Sequence, residues 1–172
     1  MRTIVFAATV LSSLLPCAAA HAQSSKLPAV VAADLKAIAA ECTDVGAKAF
    51  TTEAVKRVDL NGDGNEDYVL YVGWINCEGA AGIYGDREMG VTVYAGDGKA
   101  GASSAFQDYV YGAAIEGTGP ATKLSLTVSG QQCGKKPAPN FASENFCYRS
   151  IVWNAKTRKF EYAPVSTVKM IE

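Results

Sequence analysis

Asp59-Leu60-Asn61-Gly62-Asp63-Gly64-Asn65-Glu66-Asp67 runs directly into Tyr68-Val69-Leu70-Tyr71-Val72, and this is the stretch on which the reading of the fold turns. The second half is apolar without alternation, which predicts a central strand covered on both faces. The first half is a polar connection with oxygen-bearing side chains at its positions 1, 3, 5, 7 and 9 and a glycine at position 6. Ala54–Leu60 before it and Asp67–Ile75 after it read as strands, so the acidic segment is expected to join two strands rather than two helices.

Working toward the N-terminus, Leu27, Val31, Leu35, Ile38 and Cys42 recur at spacings of 4, 4, 3 and 4, one apolar helix stripe fit to pack on a sheet. Ser24 or Ser25 can cap this helix, with Pro28 in the first turn, where a missing N–H costs little. Gly46 falls just past its end. Toward the C-terminus the period is 2. Val91–Ala95 ends at the turn Gly96-Asp97-Gly98. Phe106–Ala113 reads as another strand, and Leu124, Leu126 and Val128 alternate with Ser125 and Thr127. Tyr148–Trp153 and Phe160–Ala163 flank Asn154–Lys159 as a hairpin, and Val165–Ile171 is a candidate last strand. Gly79–Gly90 and Gly130–Asn145 read as loops. The expected architecture is α+β: an N-terminal helix packed on a mainly antiparallel β-sheet of about six strands.

Residues 1–22 read as a cleaved signal peptide: a basic start at Arg2, an apolar run from Ile4 to about Leu15, and the small-residue ending Ala20-His21-Ala22. The run is shorter than the roughly 20 residues of a membrane-spanning helix, and no later segment reaches that length. Leu14-Leu15-Pro16-Cys17 resembles a lipoprotein box. The residue before such a cysteine is normally small, however, and here it is Pro16, so cleavage after Ala22 is the better reading. Residues 23–172 then form one domain of 150 residues, expected as a monomer and placed in the periplasm or outside the cell. Its formal charge is −2, from 15 Lys and Arg against 17 Asp and Glu once Arg2 is removed. That weak acidity argues against nucleic-acid binding, which needs a basic face, and against a polybasic membrane surface.

Cys42, Cys77, Cys133 and Cys147 remain after cleavage, and an even number in an oxidising compartment reads as two disulfides. Four cysteines allow three connectivities. The expectation is the sequence-nearest pairing, Cys42–Cys77 and Cys133–Cys147. His21 is the only histidine and leaves with the leader. A Ser-His-Asp triad, a Cys-His pair and a histidine general base are therefore excluded, and a zinc site has neither histidine nor a C-x-x-C spacing.

Calcium takes six to eight oxygens at about 2.3–2.6 Å, and a short loop with alternate oxygens and a glycine at position 6 can wrap them around one point. The loop is not a complete EF-hand, because position 12 is Leu70 where a bidentate Glu belongs. The D-x-[DN]-G-D-G-x-x-D pattern followed by an apolar strand resembles the FG-GAP or VCBS calcium loop of integrin-type β-propellers. That resemblance implies side-chain ligands Asp59, Asn61, Asp63 and Asp67, a carbonyl ligand from Asn65, and a structural calcium ion. It spans about fifteen of the 172 residues and occurs once, so the ion site is carried over and the propeller is not. More loosely, the layout resembles small bacterial secreted proteins that combine a signal peptide, a Cys-bearing helix, such a loop and a late Cys pair.

Ordinary turns also use Asn, Asp and Gly, but three carboxylates wound together at positions 1, 5 and 9 repel one another unless a cation neutralises them. Gly79–Gly85 lacks the spacing of a phosphate loop. Glu78, Asp86 and Glu88 are chance candidates for a glycosidase carboxylate pair. Tyr84 and Phe141 lie in expected loops and are the aromatics best placed to face a ligand. The function expected from all this is an exported, calcium-stabilised, non-enzymatic binding or accessory module of the cell envelope, with a protein or an envelope glycan as partner. The alternative is a small carboxylate-dependent hydrolase acting on envelope polysaccharide.

Overall fold

The structure, a computed structural model, describes residues 26–171. The expected leader and the capping serines Ser24 and Ser25 lie outside the described residues. The apolar stripe forms α1 (Ala29–Asp44). Val31 and Cys42 are fully buried along it, and Leu27, Leu35 and Ile38 pack half-buried in the same cluster. Pro28 is the N-cap rather than a first-turn residue, so α1 starts later than a cap at Ser24 or Ser25 would set it, and no side chain caps the helix start. At the other end the Gly46 N–H donates to Thr43 O and the Ala47 N–H to Cys42 O, the paired bonds of a Schellman ending.

Eleven strands follow among the described residues: β1 (Lys48–Phe50), β2 (Val55–Val58), β3 (Asp67–Tyr71), β4 (Asn76–Glu78), β5 (Met89–Gly96), β6 (Ala102–Val110), β7 (Gly112–Glu116), β8 (Lys123–Ser129), β9 (Phe146–Asn154), β10 (Lys159–Tyr162) and β11 (Lys169–Met170). They build a four-stranded sheet of order β2-β3-β5-β6 and a five-stranded sheet of order β10-β9-β8-β7 with β11 also on β9. A small β1-β4 ladder stands apart. Every pairing is antiparallel.

The expected α+β class holds, but the single sheet of about six strands does not. Two sheets pack against each other, and α1 covers the outer face of the first. β3 shows why. All five of its residues are buried. Tyr68 and Leu70 face α1 with Val31, Ile75 and Tyr94. Val69 and Tyr71 face the second sheet through Val91, Val93, Leu124, Leu126 and Ile151. The expected strand Phe106–Ala113 is divided at Tyr111: β6 closes the first sheet and β7 opens the second. Asp67–Ile75 likewise breaks after Tyr71 into a 3-10 turn (Val72–Trp74) before β4. Val165–Ile171 is mostly the 3-10 turn Val165–Thr167, with only β11 as strand.

Both expected disulfides are present. Cys42–Cys77 ties the end of α1 to β4, and Cys133–Cys147 ties the turn after β8 to β9, each with Cα atoms 5.8 Å apart. The sheets are latched along the β6/β10 side, where Phe106 and Tyr162 pack edge-on at 5.3 Å and the Tyr162 hydroxyl donates to Asp108 Oδ2 at 2.7 Å. No helix among the described residues is long and apolar enough to cross a membrane.

Candidate functional site

The acidic loop hangs from the last rung of the β2-β3 ladder, where Val58 pairs with Asp67. Its side chains turn inward on its own backbone. Asp59 Oδ1 accepts from the Gly62 N–H at 2.7 Å and Oδ2 from the Gly64 N–H at 2.9 Å. Asn61 Oδ1 accepts from the Asp63 N–H, and Asp63 Oδ1 from the Asn65 N–H, each at 2.8 Å. Gly62 and Gly64 sit at φ +77° and +83°, a conformation that costs a residue with a Cβ about 1 kcal/mol or more. The alternation of oxygens and glycines thus has a local cause: each short polar side chain satisfies an N–H that the tight winding leaves without a ladder partner.

Asp67 behaves differently from the rest. It is fully buried, and both of its oxygens are occupied. Oδ2 accepts from the N–H groups of Leu60 (2.9 Å) and Asn61 (3.2 Å). Oδ1 accepts from the Gly96 N–H at 3.1 Å and from Asn61 Nδ2 at 3.4 Å. Burial pushes its carboxyl up to about 6, against the downward pull of the backbone donors, and the nearby Asp63 charge adds to the rise. In this arrangement Asp67 buckles the loop's start to the end of β5. A Cβ on Gly96 would lie 2.0 Å from Glu66 O, so that close approach requires glycine.

Asn65 Oδ1 lies against Gly98 of the β5–β6 turn, which leaves the ligand role expected of Asn65 to its backbone carbonyl. Among the described residues no three or more His, Cys, Asp or Glu side chains gather as a metal cage. The loop's donor set still has the chemistry of a hard-cation site. Its ligand atoms are all oxygen, and Asp63 Oδ2 accepts no hydrogen bond among the described residues.

The two aromatics expected to face a ligand part company. Tyr84 is half-buried, and its hydroxyl donates to Ile38 O on α1 at 3.1 Å. Phe141 is 44% exposed and belongs to a ring cluster with Tyr111 and Phe146, and the Arg87 guanidinium stands 4.2 Å from its centroid. Glu78, Asp86 and Glu88 are all exposed. A groove of about 520 Å³ lies between β2 and β7, lined by Lys56, Arg57, Trp74 and Ala113–Ile115, with no carboxylate in its walls.

A polar cleft of about 300 Å³ has no counterpart in any local sequence pattern. It brings Asn61 and Asp63 together with Asp97, Ser103, Trp153 and Arg158. The Gly96-Asp97-Gly98 turn signal and the Asn154–Lys159 hairpin were each legible, but nothing in their spacing told that both would close on the acidic loop. A comparison with protein-family models yields no match, and comparisons with curated proteins and with solved structures yield none either.

Proposed function

We propose that this chain is an exported, non-enzymatic binding or accessory module of the cell envelope, periplasmic or secreted, whose Asp59–Asp67 loop takes up calcium as a structural ion. The observation that carries the reading is the winding of the loop about Asp59, Asn61 and Asp63, with an oxygen of Asp63 left over. Three further features support it. Two disulfides suit an oxidising compartment. The buried Asp67 carboxyl, disfavoured as an anion by desolvation, gains from any cation nearby. The groove between β2 and β7 offers a cationic and aromatic lining with no carboxylate in it, and of the two carboxylates in the polar cleft one, Asp63, belongs to the calcium loop rather than to a separate acid pair.

The test is a thermal melt of the oxidised protein in excess EGTA and then in millimolar calcium. A ligand at about 100 times its dissociation constant adds about 2.7 kcal/mol, several degrees for a domain of this size. That rise is expected in the native chain and absent in Asp63→Ala. An unchanged midpoint at about 10 mM calcium, well above the range of weak extracellular sites, removes the metal from the reading.

A further inference from the structure

We infer that the cleft between the acidic loop, the β5–β6 turn and the β9–β10 turn binds a neutral, hydroxyl-rich sugar ring, which makes the module's ligand a glycan. The inference rests on the binding half of the function proposed above and not on its calcium half.

Three segments far apart in the chain supply the walls: Asn61 and Asp63, then Asp97 and Ser103, then Trp153 and Arg158. The enclosed volume of about 300 Å³ stands at the lower end of small-ligand sites, the size of a single ring rather than of a large cofactor. A sugar ring presents an apolar face and a rim of hydroxyls that both donate and accept. Trp153 supplies aromatic surface for the face, the two carboxylates accept, and the guanidinium donates.

Each polar group has capacity to spare. Asp97 Oδ1 is taken by the N–H groups of Lys99 (2.8 Å) and Gly101 (2.9 Å), which hold this carboxyl below its ordinary range, and its Oδ2 accepts no hydrogen bond from another described residue. Without calcium Asp63 Oδ2 is in the same condition, and with calcium on that oxygen Asp97 and Arg158 remain as the charged partners of the sugar. The ion pairs among the described residues are Lys56–Glu53, Arg57–Glu66 and Lys123–Glu116, so Arg158 shares the cleft with two carboxylates and bridges to neither. Opposite charges that line one cavity without pairing leave room between them for a ligand that bonds to both. Two carboxylates against one guanidinium disfavour an anion. A neutral polyol fits both signs.

Arg158 adds a second line of argument. It sits at φ +53°, in a hairpin turn where glycine is the residue without strain. From that turn Arg158 lines the cleft.

The chain has two tryptophans, so Trp74→Phe leaves Trp153 as the sole indole reporter. Its fluorescence is titrated with tri-N-acetylchitotriose, maltotriose and cellotriose, in EGTA and again in calcium. The expected result is a saturable change with at least one sugar, with a dissociation constant of about 10 mM or tighter. Arg158→Gly in the same background relieves the backbone strain, so its melting temperature is unchanged or raised, and its affinity falls about tenfold or more. Amide shift changes at Gly101 and Ser103 of the native chain provide the same reading with both tryptophans in place. No saturable response to any of the three sugars, or equal affinity in Arg158→Gly, overturns the inference. A sugar response in EGTA sustains it even where calcium leaves the melt unmoved. A calcium shift without a sugar response overturns it and leaves the ion site standing.

Discussion

Asp67 and Asp63 show how two carboxylates of one motif carry different work. Asp67 is fully buried and accepts from three backbone N–H groups, those of Leu60, Asn61 and Gly96. Asp67→Ala strands those donors away from water at about 1–3 kcal/mol each, so the expected loss is about 3 kcal/mol or more, read as a lower denaturant midpoint. Asp63 is exposed, and its carboxylate accepts only from the Asn65 N–H among the described residues. Its replacement by alanine, measured without calcium, is expected to cost less than about 1 kcal/mol. Equal losses for the two variants would contradict the division between buckle and rim. The oxygen pattern at alternate positions was readable from residues 59–67 alone. The buckle was not, because the Gly96 that completes it lies 29 residues further on.

At the scale of elements, the two disulfides do unlike things. Cys133–Cys147 closes a 15-residue loop between neighbouring parts of the second sheet, worth about 3 kcal/mol on chain-entropy grounds. Cys42 and Cys77 stand 35 positions apart and join α1 to β4, whose ladder partner among the described residues is the three-residue β1. A ladder that short is marginal by itself. Replacing Cys42 and Cys77 by serine is therefore expected to lower stability by about 3–4 kcal/mol. It should also remove hydrogen-exchange protection in Lys48–Phe50 and Asn76–Glu78 before it touches β3 or β5. Uniform loss of protection across the first sheet would show that the ladder is held by packing instead. The Cys42 position on the helix stripe was legible, but the β1-β4 ladder was not, since three-residue strands leave too few positions for a period to register.

Across the whole molecule, a tyrosine hydroxyl bonded to a carboxylate links each adjacent pair of layers. Tyr94 of β5 donates to Asp34 of α1 at 2.5 Å, and Tyr162 of β10 donates to Asp108 of β6 at 2.7 Å. Burial first, then the hydrogen bond to the carboxylate and its negative charge, push both phenols well above their ordinary range. In the unfolded chain a tyrosine ionises near pH 10, while these two stay neutral in the folded chain. Above that pH the unfolded state releases protons that the folded state keeps. Stability is thus whole below about pH 10 and is expected to fall as pH rises beyond it. Tyrosinate absorbance followed alongside circular dichroism checks this. The last two phenols should ionise in the same step in which the fold is lost. Free titration of both phenols at their ordinary value in a folded protein would break the claim.

The sequence by itself determined the features that depend on near neighbours. They include the helix stripe of α1, the strand β3 covered on both faces, the β9–β10 hairpin, the disulfide count, and the winding of Asp59–Asp67, where polar side chains and glycines answer needs arising within the loop. Tertiary structure decided which sheet each strand joined. Alternation at Leu124, Leu126 and Val128 reports that one face is buried, not against what, and in Phe106–Ala113 the isolated Gly112 marks a bend without telling that the chain changes sheets at Tyr111. It also decided the burial of Asp67 and the meeting of Asp63, Asp97, Trp153 and Arg158 around one cleft. Those arrangements come from packing two twisted sheets on each other, a contact between surfaces whose residues are distant in the chain.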